Sequence, residues 1–295
     1  MSSLAKGLLA GGLVLAAAIA ILFVVAFRDT PARPAVGEAR STLSGKATVE
    51  YHVSGPEDGV AIVLFPSFAR SAADFNELVE SLSAAGFKTL AVQPRGIEGS
   101  NLPSGEPTYE TYAGDLLAVL DAEAFREPAH VLGHAYGNRI ARTFASNFPE
   151  RTRSVVLLAA GGVEPTPAEV SEAIGQAMLG LGSDETRREA VAFAFFAKGN
   201  EVAEDWMIGW YPEAGLAEQK TIGASPYEAW GSAGSAPVLV LQPAEDAAAA
   251  SGGRLLKQAF PDRVELVSVE GAGHALLPER PDFIALEVRD FLSRH

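Results

Sequence analysis

The chain has 295 residues, no cysteine and a formal net charge of -14 at pH 7. Hydrophobic residues make up 48% and charged residues 20%, which is typical of one folded unit rather than of a disordered chain. The lack of cysteine excludes disulfides, thiolate metal sites and a cysteine nucleophile. Because the chain is acidic and carries no basic cluster, we expect no binding to nucleic acid.

An uncharged apolar segment runs from Gly7 to Phe27. A helix of about 20 apolar residues is long enough to cross the hydrocarbon core of a bilayer. Signal peptides have shorter apolar runs of roughly 7–15 residues, followed by a small-residue cleavage site. We therefore expect residues 1–28 to form an uncleaved, single-pass anchor in the cell membrane. The flanking charges do not fix its orientation; because a short tail is easily retained in the cytoplasm, we expect an extracytoplasmic globular domain.

Residues 29–46 contain Pro31 and Pro34 among small and polar residues. This composition predicts a flexible linker between the anchor and a folded domain over residues 47–295.

Predicted strands and helices alternate from Ala47 onward. The strand patterns are TVEYHV after Ala47, Val60 to Phe65, Lys88 to Val92, Ala129 to Leu132, Ser154 to Ala159, Val238 to Gln242 and Val264 to Val269. The helical patterns between and after them are Ala72 to Ala85, Tyr109 to Ala122, Tyr136 to Asn147 and Asp282 to Leu292. This alternation predicts an α/β fold with a parallel sheet covered by helices on both faces.

The alternation stops at about residues 163–230, where helical patterns such as AEVSEAIGQAMLGL occur without a buried-strand run. We interpret this region as a helical cap inserted into a core formed by residues 47–162 and 231–295.

The predicted strand-turn-helix at residues 129–147 contains Gly133-His134-Ala135-Tyr136-Gly137. This is the spacing of the G-x-nucleophile-x-G elbow, in which a sharp turn brings backbones too close for side chains at the flanking positions. Asp246 follows the strand pattern VLVLQ, and His274 precedes the last helix. Their order after the elbow is that of an acid and a base in a catalytic triad. A turn carboxylate and a loop histidine are the alternatives, with Glu245 as a substitute acid.

These segments resemble the α/β-hydrolase superfamily over roughly residues 47–163 and 231–295. The resemblance rests on VLFPSFARSAADF, VQPRGIEGS, VLGHAYGNRIA, VLVLQPAED and GAGHALLPERPDF. It implies an eight-stranded, mostly parallel sheet with a helical cap, and a triad at positions 135, 246 and 274. It also implies an oxyanion hole formed by the backbone N–H groups of Phe68 and Tyr136.

The chain departs from the family pattern at the residues that carry the chemistry. Pro66-Ser67 stands where the family usually has His-Gly, and Gln93 stands where many members have aspartate. Ala135 occupies the nucleophile position, and a methyl group cannot form an acyl-enzyme. The sequence therefore excludes an ordinary serine-esterase mechanism.

Substitute chemistries find less support. Ser67 is an alternative nucleophile at the oxyanion position, whereas the His134 side chain is expected to point into the core. His130 and His134 lie on a strand and a turn, so they do not share a helical face, and we expect neither a metal nor another cofactor. GAGHAL also lacks the third glycine of a dinucleotide-binding loop.

Three interpretations remain. The first is an enzyme in which His274, oriented by Asp246, acts as a general base on water, with Ala135 leaving room. The second is a catalytically inactive pseudo-hydrolase that binds a ligand at the membrane. The third is an alanine introduced in place of serine to trap a substrate.

We expect a small, largely apolar substrate or ligand, because six aromatic residues occur in the cap. They are Phe193, Phe195, Phe196, Trp206, Trp210 and Tyr211. Packing of the cap onto the sheet is their alternative role.

Overall fold

The computed structural model describes residues 33–105 and 107–295. The predicted anchor over residues 1–28 lies outside these residues. Within the described part of the chain, no helix combines the length and apolar character that crossing a bilayer requires.

Eight strands form one sheet. They are β1 (Glu38–Ser44), β2 (Ala47–Ser54), β3 (Val60–Phe65), β4 (Phe87–Val92), β5 (Ala129–His134), β6 (Thr152–Leu158), β7 (Val238–Pro243) and β8 (Val264–Val269). Their order across the sheet is β1-β2-β4-β3-β5-β6-β7-β8. Only β2 pairs in the antiparallel sense, with β1 on one side and β4 on the other, whereas every other pair within the described sheet is parallel. The predicted eight-stranded, mostly parallel sheet is confirmed.

The α-helices follow the strands in chain order. They are α1 (Asn76–Ala84), α2 (Tyr109–Ala122), α3 (Tyr136–Asn147), α4 (Ala168–Leu179), α5 (Asp184–Phe195), α6 (Glu204–Met207), α7 (Pro212–Thr221), α8 (Tyr227–Trp230), α9 (Gly252–Ala259), α10 (Leu276–Glu279) and α11 (Pro281–Arg294). Short 3-10 turns at Ala72–Phe75 and Pro149–Arg151 precede α1 and β6. The helix predicted from Ala72 therefore begins as a 3-10 turn and becomes α-helical only at Asn76.

Helices cover both faces of the sheet because neighbouring residues of a buried parallel strand point to opposite sides. In β3, Val63 and Phe65 pack in one hydrophobic cluster with α2 and α3. Ile62 and Leu64 pack in another cluster with α1 and α11. This two-sided burial explains why β3 is a continuous apolar run in the sequence.

The helices α4 to α8 lie between β6 and β7 in the chain. Several of them share a third hydrophobic cluster, built around Val191, Phe195, Trp206 and Trp210, which also contains Ala69 of the core. The cap thus packs on the loop that follows β3.

The prediction of a flexible linker over residues 29–46 is wrong for its described second half. Glu38–Ser44 forms β1, which pairs with β2 from Glu38↔Val53 to Ser44↔Ala47. Arg33 forms ion pairs with Glu77 at 2.6 Å and Asp205 at 3.0 Å. The sequence signal was weak because β1 is an edge strand that is largely exposed, so its pairing needs backbone groups but no apolar run.

We expect a chain that begins at Arg33 to be markedly more stable than one that begins at Lys46. Loss of β1 leaves the backbone of β2 unpaired along one side and removes the ion pair of Arg40 with the buried Glu123 carboxylate, 2.8 Å apart. The measurement is the thermal unfolding midpoint of both forms, together with size-exclusion chromatography, because an exposed strand edge promotes association. Equal midpoints would show that β1 contributes nothing to the fold.

Candidate active site

The turn between β5 and α3 holds Ala135 in a strained backbone conformation. Its φ is 50° and its ψ is -104°, a region that residues with a Cβ rarely adopt. A Cβ on Gly133 would collide with the carbonyl oxygen of Gly137, and a Cβ on Gly137 would collide with that of Phe65. Both glycines of the elbow motif are therefore required by close backbone contact.

Hydrogen bonds fix the elbow on both sides of Ala135. Its N–H donates to the carbonyl oxygen of Leu158 at 2.9 Å, which ties the turn to the end of β6. Its carbonyl oxygen accepts from the backbone N–H of Asn138 at 3.1 Å and from the Asn138 side chain. The Ala135 methyl is consequently held in one place.

His274 and Asp246 form a buried pair beside this turn. The Nδ1 atom of His274 lies 2.9 Å from Oδ1 of Asp246. The same oxygen accepts the backbone N–H groups of Ala248 and Ala249, each at 2.9 Å. Oδ2 accepts from the side-chain amide of Gln242 at 3.2 Å. The carboxylate is thus satisfied on both oxygens, which explains its tolerance of burial.

The charge on Asp246 determines the proton position on His274. Burial acts to raise the pKa of Asp246, but the charge of His274 and the hydrogen bonds to the carboxylate outweigh burial and lower that pKa. An ionised Asp246 can only accept, so Nδ1 of His274 carries the hydrogen in this pair. In the neutral ring Nε2 is then the basic atom, and it makes no hydrogen bond to any described residue.

His134 is fully buried and contacts the backbone of the same loop. Its Nε2 atom lies 2.9 Å from the carbonyl oxygen of His274. Burial, followed by the charge of His274, lowers the pKa of His134 to about 4, so this ring is neutral and donates Nε2–H. The side chain therefore supports the backbone of the His274 loop and is not among the residues that line the cavity described below.

A cavity of about 560 Å³ opens at this edge of the sheet. Its lining includes Ser67, Phe68, Ala135, Tyr136 and His274, so the proposed elbow, base and oxyanion positions all face one cavity. The backbone N–H groups of Phe68 and Tyr136 donate to no acceptor within the described residues. The Ser67 hydroxyl likewise has no hydrogen-bonded base among them, so nothing there activates it.

The interpretation that the cap aromatics line the site is wrong for most of them. Of the six, only Phe195 contributes to this cavity wall. Trp206 and Trp210 are both buried against the Arg70 guanidinium, whose central carbon lies 4.7 and 4.9 Å from their ring centres. Phe193 is 54% exposed. These side chains mainly pack the cap, because an aromatic pattern in a sequence does not distinguish a pocket wall from a helix-packing surface.

The loop after β3 is fastened to the cap through Ala69. Its N–H donates to Oε2 of the fully buried Glu218 at 2.7 Å, and its carbonyl oxygen accepts the N–H of Tyr211 at 3.0 Å. Arg70 donates to the carbonyl oxygens of Ile208 and Asp205 at 2.7 and 3.0 Å. Phe68, which supplies one of the proposed oxyanion donors, is therefore adjacent to a clamped segment.

Glu218 and Gln242 were not singled out from the sequence. Gln242 stands at the end of VLVLQ, four residues before Asp246, where a polar residue ending a buried strand is a detectable signal. Glu218 interrupts an otherwise small and buried stripe of α7 that contains Ala214, Ala217 and Thr221. A glutamate at helical spacing within such a stripe indicates a buried carboxylate with a specific partner.

We expect Glu218→Gln to remove a pH dependence of stability. Burial raises the pKa of Glu218 from 4.5 to about 8. Between these values the folded chain retains a proton that the unfolded chain has lost, so the free energy of unfolding falls as pH rises from about 4.5 to about 8. Because glutamine cannot ionise, the variant should equal wild type at pH 5 and exceed it at pH 9 by an amount on the order of several kcal/mol.

Urea denaturation at pH 5 and pH 9 measures this difference. Glu213→Gln, an exposed position on the same helix, is the matched control and should follow wild type at both pH values. A decline with pH that persists in Glu218→Gln would place its origin in another group.

Comparison with known proteins gives relatives over part of the chain. The chain is 29% identical over 119 residues to a non-heme chloroperoxidase of Streptomyces lividans, a match covering 40% of this chain and 43% of that protein. It is 31% identical over 102 residues to epoxide hydrolase B of Mycobacterium tuberculosis H37Rv, covering 34% of this chain and 28% of that protein. The chain thus spans less than half the length of either relative.

Among solved structures, an esterase from Rhodococcus sp. ECU1013 superposes with a TM-score of 0.72 at 24% identity, over 86% of this chain and 98% of that one. At this level of identity, the likeness shows a shared fold. The model of the alpha/beta hydrolase family matches residues 62–288, which is most of the chain. The protein belongs to the alpha/beta hydrolase family.

Proposed function

We propose that this protein is a membrane-anchored, hydrolase-like enzyme that acts on a small, largely apolar substrate without a serine nucleophile. His274 serves as the general base and Asp246 orients it. The observation that carries the proposal is the 2.9 Å contact between His274 Nδ1 and Asp246 Oδ1, which leaves Nε2 as the basic atom of a residue on the cavity wall.

The proposed reaction is attack by water on an electrophilic carbon such as an ester carbonyl. The water oxygen bonds to the carbon while its proton passes to Nε2 of His274, and the resulting imidazolium faces the ionised Asp246. The backbone N–H groups of Phe68 and Tyr136 bind the oxyanion. Collapse of the tetrahedral intermediate breaks the bond to the leaving group, which takes the proton from the imidazolium.

The methyl of Ala135 supports direct attack by water rather than by an enzyme hydroxyl. A serine at this position would place an oxygen beside the base, whereas alanine leaves that space in the cavity for water. The epoxide hydrolase among the relatives supports hydrolysis as the reaction class. Besides the site residues, the cavity lining is mainly apolar, with Pro165, Ile174 and Ile222 beside the charged Arg139 and Glu164, which favours a largely apolar substrate of modest size.

A pseudo-hydrolase that binds a ligand at the membrane is the second candidate. One observation favours it: alanine stands at the nucleophile position while the elbow, the cavity and the cap are all retained. In this alternative the dyad contributes a polar contact to a bound ligand and no reaction follows.

We expect Ala135→Ser in the full-length protein to increase hydrolysis of small activated esters by at least about a hundredfold. The added hydroxyl would lie beside a base that Asp246 already orients, so the variant regains a nucleophile without a change in the turn. The measurement is initial-rate hydrolysis of p-nitrophenyl acetate, with circular dichroism to check folding. The double variant with His274→Ala should lose the gain.

The single variant His274→Ala separates the two candidate functions. A water-activating enzyme loses its turnover by roughly 100-fold or more on this change, whereas a binding protein has no turnover to lose. If folded Ala135→Ser hydrolyses the ester no faster than wild type, the Pro66-Ser67 loop does not supply a working oxyanion hole, and the ligand-binding function is favoured.

Membrane attachment rests on the uncharged run from Gly7 to Phe27. We expect the full-length chain to remain in the pellet after washing membranes with alkaline carbonate, because an apolar helix of this length is held by the bilayer and not by surface charge. A chain that begins at Arg33 is the control and should appear in the supernatant. Release of the full-length chain by the wash would exclude an integral anchor.

A further inference from the structure

A second group of ligand-type side chains lies away from the cavity, between β2 and the loop after β4. Glu50 and His52 are two residues apart on β2, so they share one face of the strand. Glu98 reaches the same place from the loop, where the N–H of Gln93 donates to the carbonyl oxygen of Glu50 at 3.0 Å. One ligand atom from each of Glu50, His52 and Glu98 lies within 4.8 Å of the other two.

Among the described residues, the buried imidazole of His52 has none of the hydrogen bonds that such a ring needs. The residue is 7% exposed, and both ring nitrogens are buried without a partner among the described residues. Nε2 lies 3.5 Å from Oε1 of Glu50, so the ring is directed at the carboxylates. A buried polar side chain without partners is rare in folded proteins and calls for an additional group at that position.

Within the described residues, no lysine or arginine neutralises the two carboxylates of the cluster. Glu50 pairs only with His52, and Glu98 forms no ion pair with any arginine or lysine within the described ranges. Glu50 Oε2 packs directly over the α-carbon of Gly99, where a Cβ would collide with it. Two acidic groups held this close favour a bound cation.

Surrounding residues already hold Glu98 in place. Its carboxylate accepts from the side-chain amide of Gln93 at 2.5 Å and from the hydroxyl of Tyr211 at 3.0 Å. Gln93 is itself fixed, because its Oε1 accepts the N–H of Ala72 at 2.9 Å. Carboxylates that bind a metal are commonly oriented by hydrogen bonds of this kind, so Glu98 already meets that requirement.

We propose that Glu50, His52 and Glu98 bind one divalent transition-metal ion of the zinc type, with water in the open position. A mixed nitrogen and oxygen set favours zinc over calcium or magnesium, which prefer oxygen alone. Bonds of about 2.0–2.1 Å at tetrahedral angles separate two ligand atoms by about 3.3 Å, close to the 3.5 Å between Glu50 and His52.

The proposed ion differs from the sequence expectation, which considered only His130 and His134. None of its ligands lines the cavity, so the ion takes no part in the proposed hydrolysis. It joins β2 to the loop after β4 and, through the hydrogen bond from Tyr211 to Glu98, to the start of α7. We expect the bound ion to stabilise the contact between the loop after β4 and the start of α7 in the cap.

Calorimetric titration of the untagged, full-length protein in detergent with zinc sulfate tests the proposal, after treatment with a chelator. We expect one zinc per chain, an affinity at least about tenfold lower in Glu98→Gln and in His52→Gln, and a zinc-dependent rise in the unfolding midpoint that Glu98→Gln lacks. The matched controls are Glu57→Gln, an exposed carboxylate at the next turn, and His295→Gln, a histidine near Glu265.

Glu98 is exposed, so its substitution keeps the test valid even where His52→Gln does not fold. The proposal is overturned by the absence of stoichiometric binding, or by an affinity in Glu98→Gln equal to that of wild type. Loss of binding in His295→Gln instead would place the ion at the C-terminus and would also overturn it.

Discussion

The close backbone contact at the elbow is the constraint on which the rest of the site depends. β5 ends and α3 begins within one residue, and this turn fits because Gly133 and Gly137 have no Cβ to collide with the backbone of Gly137 and Phe65. Ala135 accepts the strained conformation that results, at a cost of roughly 1–3 kcal/mol for such backbone geometry. Tight packing of the sheet and of α3 on either side maintains this strain.

The parallel sheet places the other residues of the candidate site at the same edge as the elbow. Ser67 and Phe68 follow β3, Ala135 follows β5 and Asp246 follows β7, so all lie beyond the carboxyl ends of parallel strands. This is where open α/β sheets characteristically form their binding crevices. His274 comes from the loop after β8, and its backbone is held by His134 from within the elbow itself. The proposed base and the turn are therefore parts of one packed structure.

The sequence was informative where burial imposes a pattern on consecutive residues. β3, β5 and β7 are buried on both faces, and their apolar runs predicted the sheet and its neighbours. The elbow glycines could also be recognised in the sequence, because close backbone contact requires glycine. Asp246 and His274 could be recognised because an acid and a base follow the elbow in this order along the chain. The sequence did not predict the edge strand β1, because its pairing uses backbone atoms and most of its side chains face water.

Contacts between distant segments left no comparable pattern. Glu218 touches Ala69 across 149 residues of sequence, and the partner of Trp206 and Trp210 is Arg70 rather than a ligand. The position of Glu218 in a buried stripe indicates that its carboxylate has a partner, but it does not identify that partner. Which segment supplies the partner is decided by the path of the whole chain.

The attachment of Ala69 and Arg70 to the cap has a mechanical consequence. Helix α7 and the segment before it hold these two residues through Glu218, Tyr211, Ile208 and the carbonyl oxygen of Asp205. An outward swing of that part of the cap must either break these hydrogen bonds together or carry the neighbouring Phe68 away from the elbow. If Phe68 and Tyr136 act as the proposed oxyanion donors, the pair is complete only while the cap stays packed on this loop, and the cap is then a structural part of that proposed site rather than a cover over it.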